Sequence, residues 1–268
     1  MAQMTEALDR SQRWRTMLDL LSERTRLSVG EAAAELGVSE ATVRRDFTAL
    51  AEQQLVSRTH GGVVATSVAY DLPARYRGGP EADARERIAT AAADLVEAGM
   101  VVGFNGGKTT TVTARRLAAR TDLAAVRERP AFTVVTNALN IATEMVLRSH
   151  IRTVTLGGVA RPESYELTGP LAAMVLDELW FDVLFLGVDG LSSEAGASCL
   201  HEGEAGINSL MVRRADKVVV VAGAEKLGRR TFARICDTGA IATLVTEQAA
   251  DGGQVEELRG AGMDVLLV

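Results

Sequence analysis

The stretch SEATVRRDFTALAEQQLVSRTHGGVV, residues 39–64, combines a helical pattern with a hairpin pattern. In its first half, the apolar side chains of Val43, Phe47 and Leu50 recur at the spacing of one buried helix face. In its second half, two short β-prone runs flank the glycine pair at 61–62, which favours a tight turn between antiparallel strands. The stretch therefore predicts a helix followed directly by a β-hairpin.

Two further helices are predicted upstream of this stretch. The apolar residues of RWRTMLDLLSER, residues 13–24, fall on one helix face and are Trp14, Met17, Leu18 and Leu21. Ser28 and Glu31 form the capping-box pattern that starts a short second helix, and GVS at 37–39 breaks that helix. Three helices followed by a two-stranded wing are typical of a winged helix-turn-helix domain, whose third helix enters the major groove of DNA.

The exposed face of the third helix is the predicted DNA-reading surface. With Val43 facing inward, a rotation of about 100° per residue puts Ala41, Arg45 and Thr48 on the outside. Arginine suits phosphate oxygens and guanine edges. The residues predicted to bind double-stranded operator DNA are Ser39, Ala41, Thr42, Arg44, Arg45, Thr48, Arg58 and His60. The alternative is a small helical dimerisation domain on which the arginines are only solvated.

Composition limits the partners that this chain can have. With 268 residues, 47% of them hydrophobic, the chain has room for one large domain or two ordinary ones. The formal net charge is −6, and residues 1–79 hold ten arginines and ten acidic residues. A contact with DNA must therefore come from the local placement of a few arginines, because the N-terminal part carries no overall positive charge.

Cysteine usage and hydropathy bear on the compartment. Cys199 and Cys236 form neither a CxxC pair nor a metal-ligand cluster, so we expect two free thiols in a reducing compartment. The N-terminal residues lack the apolar core of a signal peptide, and no apolar run approaches the roughly 18 residues that span a bilayer. We expect a soluble cytoplasmic protein with no membrane partner, no metal site and no cofactor.

The chain changes character near residue 80. Residues 1–66 hold the predicted DNA-binding domain, and residues 67–80 show no period and are predicted to be a linker. Residues 81–268 alternate short apolar runs with amphipathic stretches. The predicted strands are residues 100–104, 132–136, 152–156, 182–188, 217–222, 242–246 and 264–268. Nearly all-apolar strands separated by helices imply an α/β domain with a mainly parallel sheet covered on both faces.

The loop GFNGGKTTT, residues 103–111, lies between the first of these strands and a helix. A nucleotide-hydrolysing P-loop needs a glycine five residues before the glycine of Gly-Lys-Thr. The second glycine is Gly107, and the required position is Val102, so the loop is one residue short. Nucleotide hydrolysis is therefore disfavoured. Asp189 follows an apolar strand, as the metal-binding aspartate of such hydrolases does, but many strands end in Asp for other reasons, so this is weak evidence.

The loop still has the physical properties of an anion site. A glycine-rich turn between strand and helix presents free backbone N–H groups and the positive end of the helix dipole, which suit one phosphate. Other polar residues follow strand ends, where a parallel sheet places its ligand crevice. The residues predicted to bind an effector are Asn105, Gly106, Gly107, Lys108, Thr109, Thr110, Asn137, Arg161, Asp189, Glu204 and Lys226. The alternative is a strand–helix turn without a ligand, in which Asn137 caps a helix and Asp189 sets a turn.

The signature region at 39–64 resembles that of DeoR-type bacterial transcriptional regulators. The resemblance continues through VVTNALNIA, FLGVDGL and EGEAGINSLMVRRA and covers nearly the whole chain. It implies sugar-linked transcriptional control, commonly repression, with a phosphorylated sugar or related metabolite as effector. It also implies a sensing domain similar in fold to ribose-5-phosphate isomerase and glucosamine-6-phosphate deaminase, with the 105–111 loop at the sugar phosphate.

Two positions depart from the pattern of that family. Lys108 stands where the family usually has a small hydroxyl residue. By the same resemblance, Lys226 corresponds to the lysine of a short Asp-Ser-Ser-Lys-like segment, and Gly223 stands where that segment usually has its aspartate. The first departure either adds charge to the phosphate site or blocks it. The expected protein is a repressor that acts as a homodimer or homotetramer, without catalytic residues. A sugar-phosphate isomerase or deaminase, with acids such as Glu202 available, is the alternative.

Overall fold

The computed structural model describes residues 10–24, 26–52, 56–59, 61–65, 82–125 and 130–268. The chain divides into two compact units, residues 1–79 and 80–268. The predicted linker at 67–80 lies outside the described residues.

The N-terminal unit contains three helices and a small antiparallel sheet. The helices are α1 (Arg10–Arg24), α2 (Val29–Leu36) and α3 (Glu40–Glu52), and the strands are β1 (Arg26–Ser28), β2 (Val56–Thr59) and β3 (Gly62–Ala65). Strands β2 and β3 form the predicted hairpin, and β1 pairs with β3 on its other side. Strand β1 was not predicted, because three residues are too few to show an alternating pattern.

The predicted inward face of α3 is confirmed. Val43, Phe47 and Leu50 are buried and pack with Met17 and Leu21 of α1. The capping box at the start of α2 is also confirmed, since the Ser28 hydroxyl accepts from the Glu31 N–H and the Glu31 carboxylate accepts from the Ser28 N–H. Such reciprocal capping satisfies two of the backbone donors that a helix start leaves unpaired.

Asp46 is a buried acidic residue on α3 that the sequence pattern did not single out. Its carboxylate accepts from Arg13 Nε at 2.8 Å and from Trp14 Nε1 at 3.0 Å, and both donors belong to α1. Asp46 is only 4% exposed, and removing either partner of such a pair leaves a charge without compensation. The pair therefore fixes the position of α3 relative to α1.

The C-terminal unit is built on a seven-stranded sheet in which every neighbouring pair is parallel. Its strands are β4 (Val101–Phe104), β5 (Phe132–Thr136), β6 (Ile151–Thr155), β9 (Phe181–Leu186), β12 (Ala215–Val221), β14 (Thr243–Thr246) and β15 (Asp264–Leu267). Each of the seven predicted strands is present within about two residues of its predicted bounds. The order across the sheet is β15-β14-β12-β9-β4-β5-β6.

Helices cover both faces of this sheet. They are α4 (Ala82–Ala93), α5 (Lys108–Ala118), α6 (Thr121–Ala124), α7 (Leu139–Met145), α8 (Pro170–Leu176), α9 (Glu202–Arg213) and α10 (Gly252–Gly260). Alternate strand residues enter two separate cores: Val183 and Phe185 of β9 pack with α4 and α5, whereas Leu184 and Leu186 pack with α8 and α9. Burial on both faces explains why the strands are continuous apolar runs.

Among the described residues of this unit, three further short strand pairings lie outside the large sheet. Strands β7 (Val159–Ala160) and β8 (Leu167–Thr168) form a two-residue hairpin. Strands β10 (Gly190–Ser192), β11 (Gly196–Cys199) and β13 (Ala233–Cys236) form an antiparallel sheet. Cys199 and Cys236 are both free, as predicted.

The strand order reverses between β4 and β9. From β4 the chain proceeds outward through β5 and β6, and it then returns to place β9 on the other side of β4. In open parallel sheets, ligands bind beyond the carboxyl ends of the strands at such a reversal. The residues that follow β4 and β9, beginning at Asn105 and Gly187, therefore occupy the ligand-binding position of this fold.

Candidate DNA interface and anion site

The outward side of α3 carries the predicted DNA-reading residues. Ala41, Arg44 and Arg45 are exposed, and Thr42 and Thr48 are half-buried at the edges of this face. Asp46 and Phe47, by contrast, are buried beneath it. The face is therefore a short surface on which two adjacent arginines are the only cations of the helix.

Ser39 and Thr42 organise the start of α3. The Ser39 hydroxyl accepts from the Thr42 N–H at 3.3 Å and lies 3.0 Å from the Thr42 hydroxyl. A serine in this position satisfies a backbone donor that the helix start would otherwise leave unpaired. Ser39 remains exposed, so its place at the predicted interface is compatible with its capping role.

The two arginines differ in their partners. Arg44 forms an exposed ion pair with Glu40 one turn earlier, with its Nη2 atom 2.9 Å from Glu40 Oε2. Surface pairs of this kind contribute little stability, so an incoming phosphate can replace Glu40. Arg45 has no ion-pair partner among the described residues. Arg45 is therefore the less constrained donor on this face.

The wing is linked to α3 by one hydrogen bond. Arg58 Nη1 of β2 donates to the Thr48 hydroxyl at 3.2 Å, and that hydroxyl donates to the Arg44 carbonyl at 2.8 Å. This contact brings Arg58 beside the outer face of α3. His60, the other wing residue predicted to bind DNA, lies outside the described residues.

At the reversal point of the large sheet, Asn105 and Gly187 join the ends of β4 and β9. Asn105 Nδ2 donates to the Gly187 carbonyl at 3.0 Å, and the Gly187 N–H donates to Asn105 Oδ1 at 2.7 Å. Asn105 is 2% exposed and both ends of its amide are engaged. Asn105 therefore holds the loop in place, and its amide has no free end for a ligand.

The glycine-rich loop turns into α5 at Gly107. Gly107 precedes the first residue of α5 and has a φ of 131°, a conformation that L side chains rarely adopt. Lys108 is exposed and Thr109 is half-buried at the helix start. The helix N-terminus, with its dipole and unpaired N–H groups, therefore opens next to Lys108.

The threonines after Lys108 are less available than predicted. The hydroxyls of Thr110 and Thr111 both donate to the Gly107 carbonyl, at 3.1 and 2.7 Å, and both residues are buried. Thr111 also accepts from Asn140 Nδ2 at 2.7 Å. The prediction that the Thr110 hydroxyl faces a ligand is therefore replaced by a structural role in shaping the loop.

Glu166, which the sequence pattern did not identify, lies directly against the loop. Its carboxylate accepts from the Gly106 N–H, from Asn137 Nδ2 at 3.0 Å and from the side chain of Asn208. A side chain at Gly106 would place its Cβ 2.5 Å from Glu166 Cγ, so only glycine fits there. Burial raises the pKa of Glu166 to about 7, and the charge of Glu204 adds to that effect.

Asn137 therefore does not cap the following helix. Helix α7 begins after Ala138 without a side-chain cap, and the Asn137 amide instead reaches Glu166. This contact crosses from the end of β5 to the segment before β8, a separation in sequence that no local pattern reveals.

Arg161 and Glu204 form a second polar pair at this end of the sheet. Glu204 Oε1 accepts from Arg161 Nε at 2.8 Å and from the Ser164 hydroxyl at 2.6 Å. Glu204 is 8% exposed, whereas Arg161 retains about a quarter of its side-chain exposure. The structure thus brings Arg161, which follows a strand end, together with Glu204 in the first turn of α9.

Asp189 and Lys226 form a looser pair. Lys226 Nζ lies 3.9 Å from Asp189 Oδ1, and Asp189 Oδ2 accepts from the Leu200 N–H at 3.0 Å. The pKa of the Cys199 thiol is raised to about 11, mainly by burial and further by the charges of Glu204, Glu166 and Asp189. Cys199 is therefore a neutral group among three acidic side chains.

The described residues contain no cluster of three or more His, Cys, Asp or Glu side chains that could hold a metal ion. In the same part of the chain, no helix is long and apolar enough to cross a membrane.

Family models match both units of the chain. The model described as "DeoR-like helix-turn-helix domain" matches residues 13–68. The model described as "DeoR C terminal sensor domain" matches residues 81–248.

Known proteins match nearly the whole length. The HTH-type transcriptional regulator GlpR of Haloferax volcanii is 33% identical, and the alignment covers 96% of this chain and 97% of that protein. A putative aga operon transcriptional repressor of Escherichia coli is 29% identical, with 96% and 94% covered. The glycerol-3-phosphate regulon repressor of Escherichia coli is 24% identical, with 90% and 92% covered.

Among solved structures, ribose 5-phosphate isomerase A from Methanocaldococcus jannaschii is similar at a TM-score of 0.38 and 21% identity, covering 55% of this chain and 54% of that one. A likeness of this strength adds nothing to the family assignment. The family models on both units, together with 33% identity over almost the entire chain, place this protein in the DeoR family of DNA-binding transcriptional regulators.

Proposed function

We propose that this regulator is a repressor whose C-terminal unit binds a phosphorylated sugar or a related anionic metabolite, and that binding changes the affinity of the N-terminal unit for operator DNA. The observation that carries the proposal is the loop of Gly106 and Gly107. It lies at the reversal point of a parallel sheet and opens into the N-terminus of an 11-residue helix. One of the relatives is named for glycerol-3-phosphate, which supports an effector of this class.

The effector site comprises the loop, Lys108 and Thr109, with Arg161, Glu204, Asp189 and Lys226 around it. Backbone N–H groups and Lys108 suit the phosphate, because both favour negative charge. Carboxylates such as Glu204 and Asp189 suit the hydroxyl groups of a sugar, which donate hydrogen bonds to them. Asn105, Thr110 and Asn137 hold the loop through their hydrogen bonds to Gly187, Gly107 and Glu166.

The operator-binding site is the outer face of α3 together with the wing. In this proposal Arg45 reads a base edge in the major groove, and Arg44 and Arg58 contact the backbone. Residues 1–66 form the DNA-binding domain, residues 67–80 join it to the sensor, and residues 81–268 form the sensor.

The repressor acts in the cytoplasm as a homodimer or homotetramer. Two-fold operators are usual for helix-turn-helix proteins, because one small domain contacts few base pairs. Light scattering of the full chain with and without operator DNA measures this state directly.

The sensor unit is proposed to bind its ligand without converting it. Glu166 and Glu204, the two buried carboxylates of the site, are both held by hydrogen bonds from the protein. The competing hypothesis, a sugar-phosphate isomerase or deaminase, predicts measurable turnover of an aldose or ketose phosphate by the full chain.

A thermal-shift screen tests the proposed effector class. Each phosphorylated sugar is compared with its unphosphorylated form, so that only the anionic group differs. Ligand at a hundred times its dissociation constant stabilises by about 2.7 kcal/mol, which is a shift of several degrees. If no phosphorylated compound raises the melting temperature more than its neutral counterpart, the proposed effector class is wrong.

A further inference from the structure

Glu166 is held at the loop in the way that a bound anion would be. Its carboxylate accepts the Gly106 N–H and the side-chain amides of Asn137 and Asn208, which are three donors. Glu166 is 4% exposed. A buried carboxylate is normally compensated by a cation, yet Arg161, the described cation on the same segment, has its Nε bonded to Glu204.

Two buried acceptors next to Glu166 receive no hydrogen bond from the described residues. Asn137 Oδ1 and Asn208 Oδ1 are both buried and have no partner in the described part of the chain. Buried acceptors of this kind are costly unless a donor reaches them. A protonated carboxyl group and a ligand hydroxyl are both donors, whereas an ionised carboxylate is not. The two oxygens therefore leave acceptor capacity at this site that an ionised Glu166 cannot fill.

We propose that the Glu166 carboxylate occupies part of the anion site in the free sensor, and that an anionic effector binds tightly only after Glu166 has taken up a proton or moved away. This inference rests on the proposed function, because it concerns the same loop. It adds that effector binding is coupled to proton uptake. The sensor therefore responds to pH as well as to effector concentration.

The charges around Glu166 set the direction of the coupling. The charge of Glu204 from α9 acts on Glu166, and Arg161 is bonded to Glu204. Cys199 from β11 is neutral, and Lys108 begins α5. Burial and the charge of Glu204 raise the pKa of Glu166 to about 7. A dianion at the loop adds more negative charge and raises that pKa further, so binding draws a proton onto Glu166.

Sulfate is the probe that isolates this effect, because it remains a dianion throughout the relevant pH range. Calorimetry compares the full-length wild type with Glu166→Gln, which keeps the shape of the side chain and removes its charge. Glu178→Gln, an exposed acidic residue of the same unit, is the charge-matched control. At about pH 8.5 we expect Glu166→Gln to bind sulfate roughly 30-fold more tightly than the wild type, and at about pH 5.5 we expect nearly equal affinities.

A second measurement uses the wild type alone and does not depend on any variant folding. Sulfate binding at pH 7 in buffers of different ionisation enthalpy reports the protons taken up, and we expect about half a proton per sulfate. Equal affinities of wild type and Glu166→Gln at both pH values, without proton uptake, would overturn the inference and leave the anion site in place. Absence of sulfate and sugar-phosphate binding in all three proteins would overturn the proposed anion site and this inference together.

Discussion

Asn105 and Gly187 exchange two hydrogen bonds across the ends of β4 and β9, at the point where the strand order of the sheet reverses. The amide of Asn105 replaces the pairing that two diverging strands can no longer make. Gly187 has to be small, because a Cβ there would lie 3.1 Å from the Gly106 carbonyl and 3.3 Å from Thr110 Cγ2. These two residues fix the loop on which the sensing hypothesis depends.

The first prediction concerns Asn105. Asn105→Ala removes both hydrogen bonds and leaves the part-buried N–H and carbonyl of Gly187 without this partner. We expect the free energy of unfolding of the sensor unit to fall by roughly 1–3 kcal/mol, as measured by urea denaturation. We also expect weaker sulfate binding. Asn105→Asp keeps the acceptor for the Gly187 N–H, so its stability should lie between the two. An alanine variant as stable and as tightly binding as the wild type contradicts this role.

The second prediction concerns Arg45. Arg45→Ala should reduce affinity for the operator by about 1–3 kcal/mol while binding to unrelated DNA changes little, because a base contact carries sequence information. Circular dichroism should be unchanged, since Arg45 is exposed and unpaired in the described structure. Arg148→Ala removes the same charge from an exposed site of the other unit and should leave operator affinity intact. Unchanged operator affinity in Arg45→Ala removes this residue from the reading face.

The third prediction follows from the pKa of Glu166. A carboxyl group whose pKa is raised from 4.5 to about 7 on folding binds more protons in the folded state between those values. Stability therefore falls as pH rises through that window. Glu166→Gln removes this penalty and should raise the free energy of unfolding by roughly 1–3 kcal/mol at pH 8 and by much less at pH 5. A gain of the same size at both pH values shows that ionisation of Glu166 is not the cause.

The fourth prediction concerns Lys108, which departs from the usual residue of the family. Lys108 is exposed at the first position of α5, next to the loop, and we expect it to attract the effector phosphate. Lys108→Thr should weaken sugar-phosphate binding by roughly threefold to tenfold, and more so at low ionic strength. Tighter binding in Lys108→Thr supports the opposite interpretation, in which the lysine blocks the site.

The sequence predicted the two-unit architecture and the strands of the large sheet because their signals are local. Each sheet strand is an apolar run buried on both faces, and α3 shows its buried face through Val43, Phe47 and Leu50. The same kind of reasoning missed β1 and the β7–β8 pair, since two or three residues show no period.

Glu166 and Asp46 were missed for a different reason. Both are acidic residues, a type that is usually exposed, and no pattern in the neighbouring sequence indicates that they are buried. The partners of Glu166 come from β5's end, the glycine loop and α9, and those of Asp46 come from α1. Contacts across such separations are determined by the assembled fold. The structural roles of Asn105 and Thr110 also depend on contacts in the assembled fold, so the sequence pattern did not predict them.

The most direct test of the account is the affinity of the full chain for the DNA upstream of its own gene, measured by fluorescence anisotropy with and without the sugar phosphate that gives the largest thermal shift. A scrambled duplex of the same composition is the reference. We predict selective binding that weakens steeply with salt, and a change of at least about fivefold when the effector is added. Equal affinity for the two duplexes, or an operator affinity that does not respond to any stabilising sugar phosphate, contradicts the account.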